Sequence, residues 1–167
     1  MRINKIFAVM MVAMLTISML IGCGKKEESG SQTDSQITGG TVATDLYILF
    51  LDEIKNNTDL IQVSDKLLEA DCFKDIATGS MAVEEGYLNG FNDEIKGFKN
   101  GVMFAPMIGT IPFVGYIFET DNPDDLMQTL ADHAELNWNI CTVADEMVVE
   151  KYDNYVFFVM APTSFDQ

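Results

Sequence analysis

The sequence predicts an α+β domain: a mainly antiparallel sheet of about four to five strands with about three helices packed on it, after a signal peptide and a flexible tether. Three observations carry this. Residues 45–76 place apolar side chains at helical spacing. Residues 102–119 and 138–160 hold short runs rich in Val, Ile, Phe and Tyr, broken by turn residues. One further helical pattern, near 122–134, separates those two β-rich regions. Two helices, two strands, a helix and three strands in that order segregate the elements as α+β folds do, instead of alternating them.

At the N-terminus, Arg2 and Lys5 supply a positive region, and Ile6 to Leu20 follow as 15 uncharged, mostly apolar residues. Small Gly22 then precedes Cys23. Positive, apolar and small residues in that order read as a secretory signal. The alternative, an uncleaved anchor, needs a spanning stretch of about 20 residues. Leu20-Ile21-Gly22-Cys23 resembles the lipobox of bacterial lipoproteins. That resemblance implies cleavage before Cys23, diacylglyceryl modification of its thiol and attachment to the outer face of the cell membrane. Two acyl chains suffice for stable attachment where one is marginal.

Residues 23–42 then read as the lipidated Cys and a tether. Gly24 to Val42 is mostly Ser, Gly, Gln, Thr and charge, with Ile37 and Val42 its only branched apolar residues. Such a segment cannot build a core, and its expected reach is on the order of 25 Å. The 125 residues from 43 to 167 form one expected domain, long enough to bury a core without staples.

Within the domain, Leu46, Leu49, Phe50 and Ile54 predict a helix over 45–56, with Asp45 as the candidate N-cap. Asn56-Asn57-Thr58-Asp59 is the expected turn, and a second helix is expected from Val63 to Ile76. Gly86-Tyr87-Leu88-Asn89-Gly90-Phe91 and Gly97-Phe98-Lys99-Asn100-Gly101-Val102 repeat one pattern. Their spacing fits no phosphate-binding fingerprint, and Asn-Gly pairs predict two tight turns. Val102–Met107 and Phe113–Glu119 read as a hairpin, with Pro106 expected at an edge or bulge because proline cannot donate to a ladder. Asp121-Asn122-Pro123-Asp124-Asp125 lacks the alternating ligand spacing and distal Glu of a calcium loop. It suits a helix start, with Asp or Asn capping and Pro at the first position, and the helix should bury Leu126, Met127, Leu130 and Ala134. Trp138–Val143, Glu146–Lys151 and Tyr155–Met160 are the expected last strands. The final one is apolar on both faces, which marks a strand covered on both sides.

Loss of residues 1–22 would remove Arg2, Lys5 and no acid, leaving 8 Lys against 26 acids, a net charge of −18. Nucleic-acid binding needs a basic footprint and is disfavoured. The expected partners are therefore the membrane, through the lipid anchor, and a protein or glycan of unspecified kind. Cys72 and Cys141 remain besides Cys23. An extracytoplasmic site permits their pairing, but apolar neighbours favour two buried free thiols.

No catalytic, metal or cofactor set stands out. His133 is the sole histidine and falls near a helix C-terminus, where an imidazole serves the helix dipole. Zinc would have only His133 and two Cys as N or S ligands. No Ser sits in a nucleophile elbow, and Lys74 is the sole local basic neighbour of a thiol. A carboxylate pair remains open, because glycoside hydrolysis needs just two acids. Among the aromatics, Trp138, at the expected helix-to-strand junction, is the candidate ligand contact.

Phe104-Ala105-Pro106-Met107-Ile108-Gly109, Trp138-Asn139-Ile140-Cys141 and Val156-Phe157-Phe158-Val159-Met160 resemble a group of small uncharacterised lipoproteins from clostridial-type anaerobic Gram-positive bacteria. The likeness covers about residues 100–160 plus the lipobox. Asn139 departs from the pattern, since such proteins often carry Arg or Lys there. The resemblance implies an extracytoplasmic α+β lipoprotein and no activity. The expectation is a non-enzymatic binding or interaction module; the alternatives are a small hydrolase of wall or glycan using paired carboxylates, and a structural envelope component.

Overall fold

The computed structural model describes residues 39–165. The expected signal peptide, Cys23 and most of the expected tether lie outside the described residues. Helix α1 (Val42–Ile54) starts from a reciprocal cap: Thr41 Oγ1 accepts from the Thr44 amide, and Thr44 Oγ1 accepts from the Thr41 amide at 3.1 Å. The helix thus begins three residues before the expected Asp45. Asp45 lies in the first turn instead, where its Oδ1 accepts from Gly40 N at 3.0 Å and its charge suits the helix dipole.

Helix α2 (Leu60–Leu67) is capped by Asp59, whose Oδ1 accepts from the amides of Ile61 and Gln62. It is earlier and shorter than the expected 63–76. Past Leu67 the chain keeps its apolar content but loses helical period, and a 3-10 turn (Asp71–Phe73) swings Phe73 into the core.

Seven strands follow: β1 (Thr78–Val83), β2 (Gly86–Tyr87), β3 (Glu94–Ile95), β4 (Asn100–Pro106), β5 (Val114–Glu119), β6 (Glu146–Tyr152) and β7 (Tyr155–Ala161). Helix α3 (Pro123–His133) lies between β5 and β6. The main sheet is antiparallel throughout, in the order β1-β4-β5-β7-β6, and β2 pairs with β3 separately. This is the α+β architecture predicted, with three helices and a five-stranded antiparallel sheet.

Several elements differ from expectation. Strand β1 carries no apolar alternation because it is an edge strand with both faces largely exposed. Asn89-Gly90 does turn, but Asn100-Gly101 opens β4, and the second bend falls at Gly97 with φ +90°. Pro106 ends β4, an interior strand: it pairs with Thr78, while the last pair toward β5 is Phe104 with Gly115. Its missing amide therefore falls beyond the β5 ladder. Trp138–Val143 is a loop and not a strand; Ala144 N closes it by donating to Leu136 O at 2.9 Å. Asn122 occupies the N-cap of α3 without a capping side-chain bond, Leu126 and Leu130 are buried, and Met127 and Ala134 are half-buried.

The sheet is covered on both faces, and β7 shows why. Phe157, Val159 and Ala161 face a core shared with α1 and α2, while Val156, Phe158 and Met160 face α3 and the segment around Phe91, Ile95 and Phe98. No helix of the described residues is long and apolar enough to cross a membrane.

Gly115, opposite Phe104 on β5, leaves room for the Phe104 ring to lie across the strand; a Cβ there would fall within the ring. Gly115→Ala is expected to cost about 1–3 kcal/mol of overpacking in urea unfolding of the full-length chain. Gly109→Ala, where a Cβ meets nothing within 4 Å, should stay within about 0.5 kcal/mol of wild type.

Candidate functional site

One end of the sheet collects the features of interest. The C-terminal ends of β4 and β7 and the N-terminal ends of β1, β5 and β6 meet there, as the pairs Thr78–Pro106, Val114–Met160 and Glu146–Ala161 show. The described chain arrives at the same end. Val42 N donates to Thr163 O at 3.2 Å, and Ala43 N donates to Glu146 Oε1 at 3.2 Å, tying the start of α1 to the ends of β6 and β7.

Two loops leave the sheet here: the β4–β5 connection (107–113) and the α3–β6 connection (134–145). They are tied together by side chains donating to backbone carbonyls. Asn139 Nδ2 donates to Gly109 O at 2.7 Å, and Thr142 Oγ1 donates to Thr110 O at 3.2 Å. These bonds explain why 138–143 is not a strand, since its polar side chains bind a neighbouring loop in place of a ladder. Between the loops lies a groove of about 270 Å³ lined by Trp138, Asn139, Ile140, Ile108, Phe113 and Asn89, among others. None of its lining side chains is titratable. It can offer apolar contact, an indole face and two carboxamides, which is the equipment of a binding site.

A second groove of about 490 Å³ continues from Thr110–Pro112 and Thr142 to Phe165. A third, of about 400 Å³, runs on from Phe165 to Thr41, Asp45, Asp71, Cys72 and Asp75. The three form a chain of concavities from the start of α1 to Trp138.

The residues singled out in the sequence are dispersed. Cys23 lies outside the described residues. Trp138 is half-buried, one side against the core beneath α3 and the other in the groove. Cys72 and Cys141 are both free. Cys72 is half-buried, and burial, followed by the charges of Asp45 and Asp71, pushes its thiol above the ordinary value, which depletes the reactive thiolate. Cys141 is exposed, contrary to the expected buried thiol, because it sits on the loop in place of a strand. His133 ends α3, its Nδ1 3.0 Å from Asn92 Oδ1. Asp121 and Asp124, weighed as calcium ligands, are instead paired with Lys99 and Lys151. Of the other aromatics, Phe91, Phe98 and Tyr116 belong to the core, Tyr87 is exposed, and Tyr152 and Tyr155 are half-buried.

A simple count of charge by position would have found the loop pair. Residues 102–118 and 136–144 contain no Asp, Glu, Lys or Arg, in a chain with 36 of them. Compared with protein-family models, with curated proteins and with solved structures, the chain matches none.

Beneath the groove, the buried Tyr116 hydroxyl donates to the carbonyl of Asn89 at 2.8 Å. Burial raises this phenol's pKa above its ordinary value. A raised acid pKa favours the neutral form in the fold, so its stabilisation is complete below the unfolded value of about 10 and fades above it. Tyr116→Phe is expected to lose about 0.5–1.5 kcal/mol near neutral pH. Urea unfolding as a function of pH should also show a shallower loss of stability above about pH 10 in the variant than in wild type.

Proposed function

We propose that the chain is a membrane-anchored extracytoplasmic lipoprotein whose domain is a non-enzymatic binding or interaction module. The observation that carries the binding part is the groove at Trp138: a concave site of aromatic, aliphatic and amide side chains with nothing in it to transfer a proton. Support for the location comes from the basic, apolar and small-residue order of 1–22 with Cys23 after it. The likeness to clostridial-type lipoproteins points the same way. Stable attachment follows from two acyl chains on Cys23.

The hydrolase alternative asks for two carboxylates facing each other across a cleft, one with a raised pKa. Burial raises the Glu150 carboxyl, but Glu150 stands on β6 and lines none of the three grooves at this sheet end. Acids line the groove at Asp45, Asp71 and Asp75, the groove at Asp145 and a further groove of about 440 Å³ at Asp59, Glu84 and Glu119, and Glu150 belongs to none of them. Nothing therefore favours hydrolysis over binding.

The anchor is tested by acyl labelling of the full-length chain beside Cys23→Ser, with and without globomycin. The expected outcome is labelled, membrane-bound wild type and an unlabelled variant released from membranes. Two unlabelled proteins that both stay bound would identify residues 6–22 as an uncleaved anchor and overturn the lipoprotein assignment.

A further inference from the structure

We propose that the two uncharged loop tips, Met107-Ile108 and Ile140 to Val143, seat in the interface of the lipid bilayer that carries the anchor, so that the domain rests on the membrane by this end of its sheet. The proposal builds on the anchored reading above and adds a second, non-covalent contact. Single exposed apolar residues are ordinary on any protein, but clustering is not. Five of the ten large apolar side chains exposed among the described residues, Met107, Ile108, Leu136, Ile140 and Val143, stand on these two loops. Ile140 is 99% exposed and Met107 77%. The Asn139 and Thr142 bonds to the neighbouring loop hold the tips side by side, so both can enter one surface together.

Three observations select a bilayer over a protein partner. First is charge. The tips lie in runs free of charged residues, and lipid interiors penalise charge most heavily; a basic protein partner would be drawn to the acids instead. Glu135 and Asp145 flank the second tip in sequence and mark where penetration stops. Second is the point at which the chain arrives. Gly39 to Thr41 lead into α1 at this same sheet end. Gly39 is 16 residues beyond Cys23, and a fully extended chain of that length spans at most about 55 Å. Third is polarity along the sheet. Glu119, Asp121, Asp124, Asp125 and Asp153 gather at the opposite end, which an anionic leaflet repels; the acids of the near end, Asp45, Asp71 and Asp75, line the groove at Thr41, while the tips and the groove at Trp138 carry none. Trp138, beside the tips, has the amphipathic character that places indoles at membrane interfaces.

Trp138 is the single tryptophan of the chain and therefore reports on this surface directly. The full-length acylated protein is reconstituted into phosphatidylcholine vesicles, with flotation reading the anchor and Trp138 emission reading the tips. Lipids brominated high on the acyl chain are expected to quench Trp138, and its emission should move to shorter wavelength relative to the detergent-solubilised protein. Ile140→Asp should lose most of that quenching and still float. Met81→Asp, an exposed apolar site on the edge strand β1, should be quenched like wild type. Floating wild type whose Trp138 is not quenched overturns bilayer docking and leaves the anchor standing. Wild type that does not float fails on the anchor, and docking falls with it. Unquenched emission that shifts with protein density in the vesicles, together with crosslinking through Cys141, identifies a second copy as the occupant and likewise overturns the proposal.

Discussion

The fold depends on one strand that has no polar face. Residues 156–161 of β7 are buried on both sides, which a sheet with one wet face cannot accommodate. Two separate apolar layers must therefore be assembled. Helices α1 and α2 come before the sheet in sequence and cover one face. Helix α3 and the loop-rich segment from 84 to 99 cover the other. Aromatic rings do much of the filling: Phe50, Phe104 and Phe157 on one side, Phe91, Tyr116 and Phe158 on the other. Glycine is needed where those rings cross the backbone, as Phe104 does over Gly115. Double coverage leaves the grooves at Trp138 and Phe165 at the ends of the strands and not on the faces of the sheet.

Those ends are unlike. At one, acids and lysines form exposed pairs such as Lys99–Asp121, which are worth little individually but keep the surface hydrated. At the other, two connections carry apolar side chains on charge-free tips and bond to each other through Asn139 and Thr142. A chain with so many acids and so few bases distributes its charge over its whole surface unless something excludes it. The charge-free tips are the part of this molecule best suited to an apolar contact, and the groove at Trp138 gives that contact depth.

Local patterns made much of the fold legible, and long-range contacts account for what was missed. The hairpin of β4 and β5, the proline-started α3 and the doubly buried β7 were readable because each carries its own period or punctuation. Strand β1 was not, since an edge strand with exposed faces has no apolar alternation to display. The start of α1 differs from the expected Asp45 because the reciprocal Thr41–Thr44 pair satisfies two amides at once. The stretch 138–143 looked like a strand by composition, but its partners are carbonyls in a loop some 30 residues away. Trp138 is legible in the sequence as a candidate contact; the groove around it is not, because Asn89, Ile108, Phe113 and Ile140 come from three distant segments.

By itself the sequence determined the class of the domain, the antiparallel strands of its second half and the strand that had to be buried on both faces. These follow from side-chain period and turn chemistry, which act over a few residues. Tertiary structure alone decided which helices cover which face, that Cys141 is exposed, and that two charge-free loop tips stand together at the sheet end where α1 begins. Those are consequences of strand order and register. Neither is written in any one segment, because each depends on which distant segments can bury their apolar surfaces against one another.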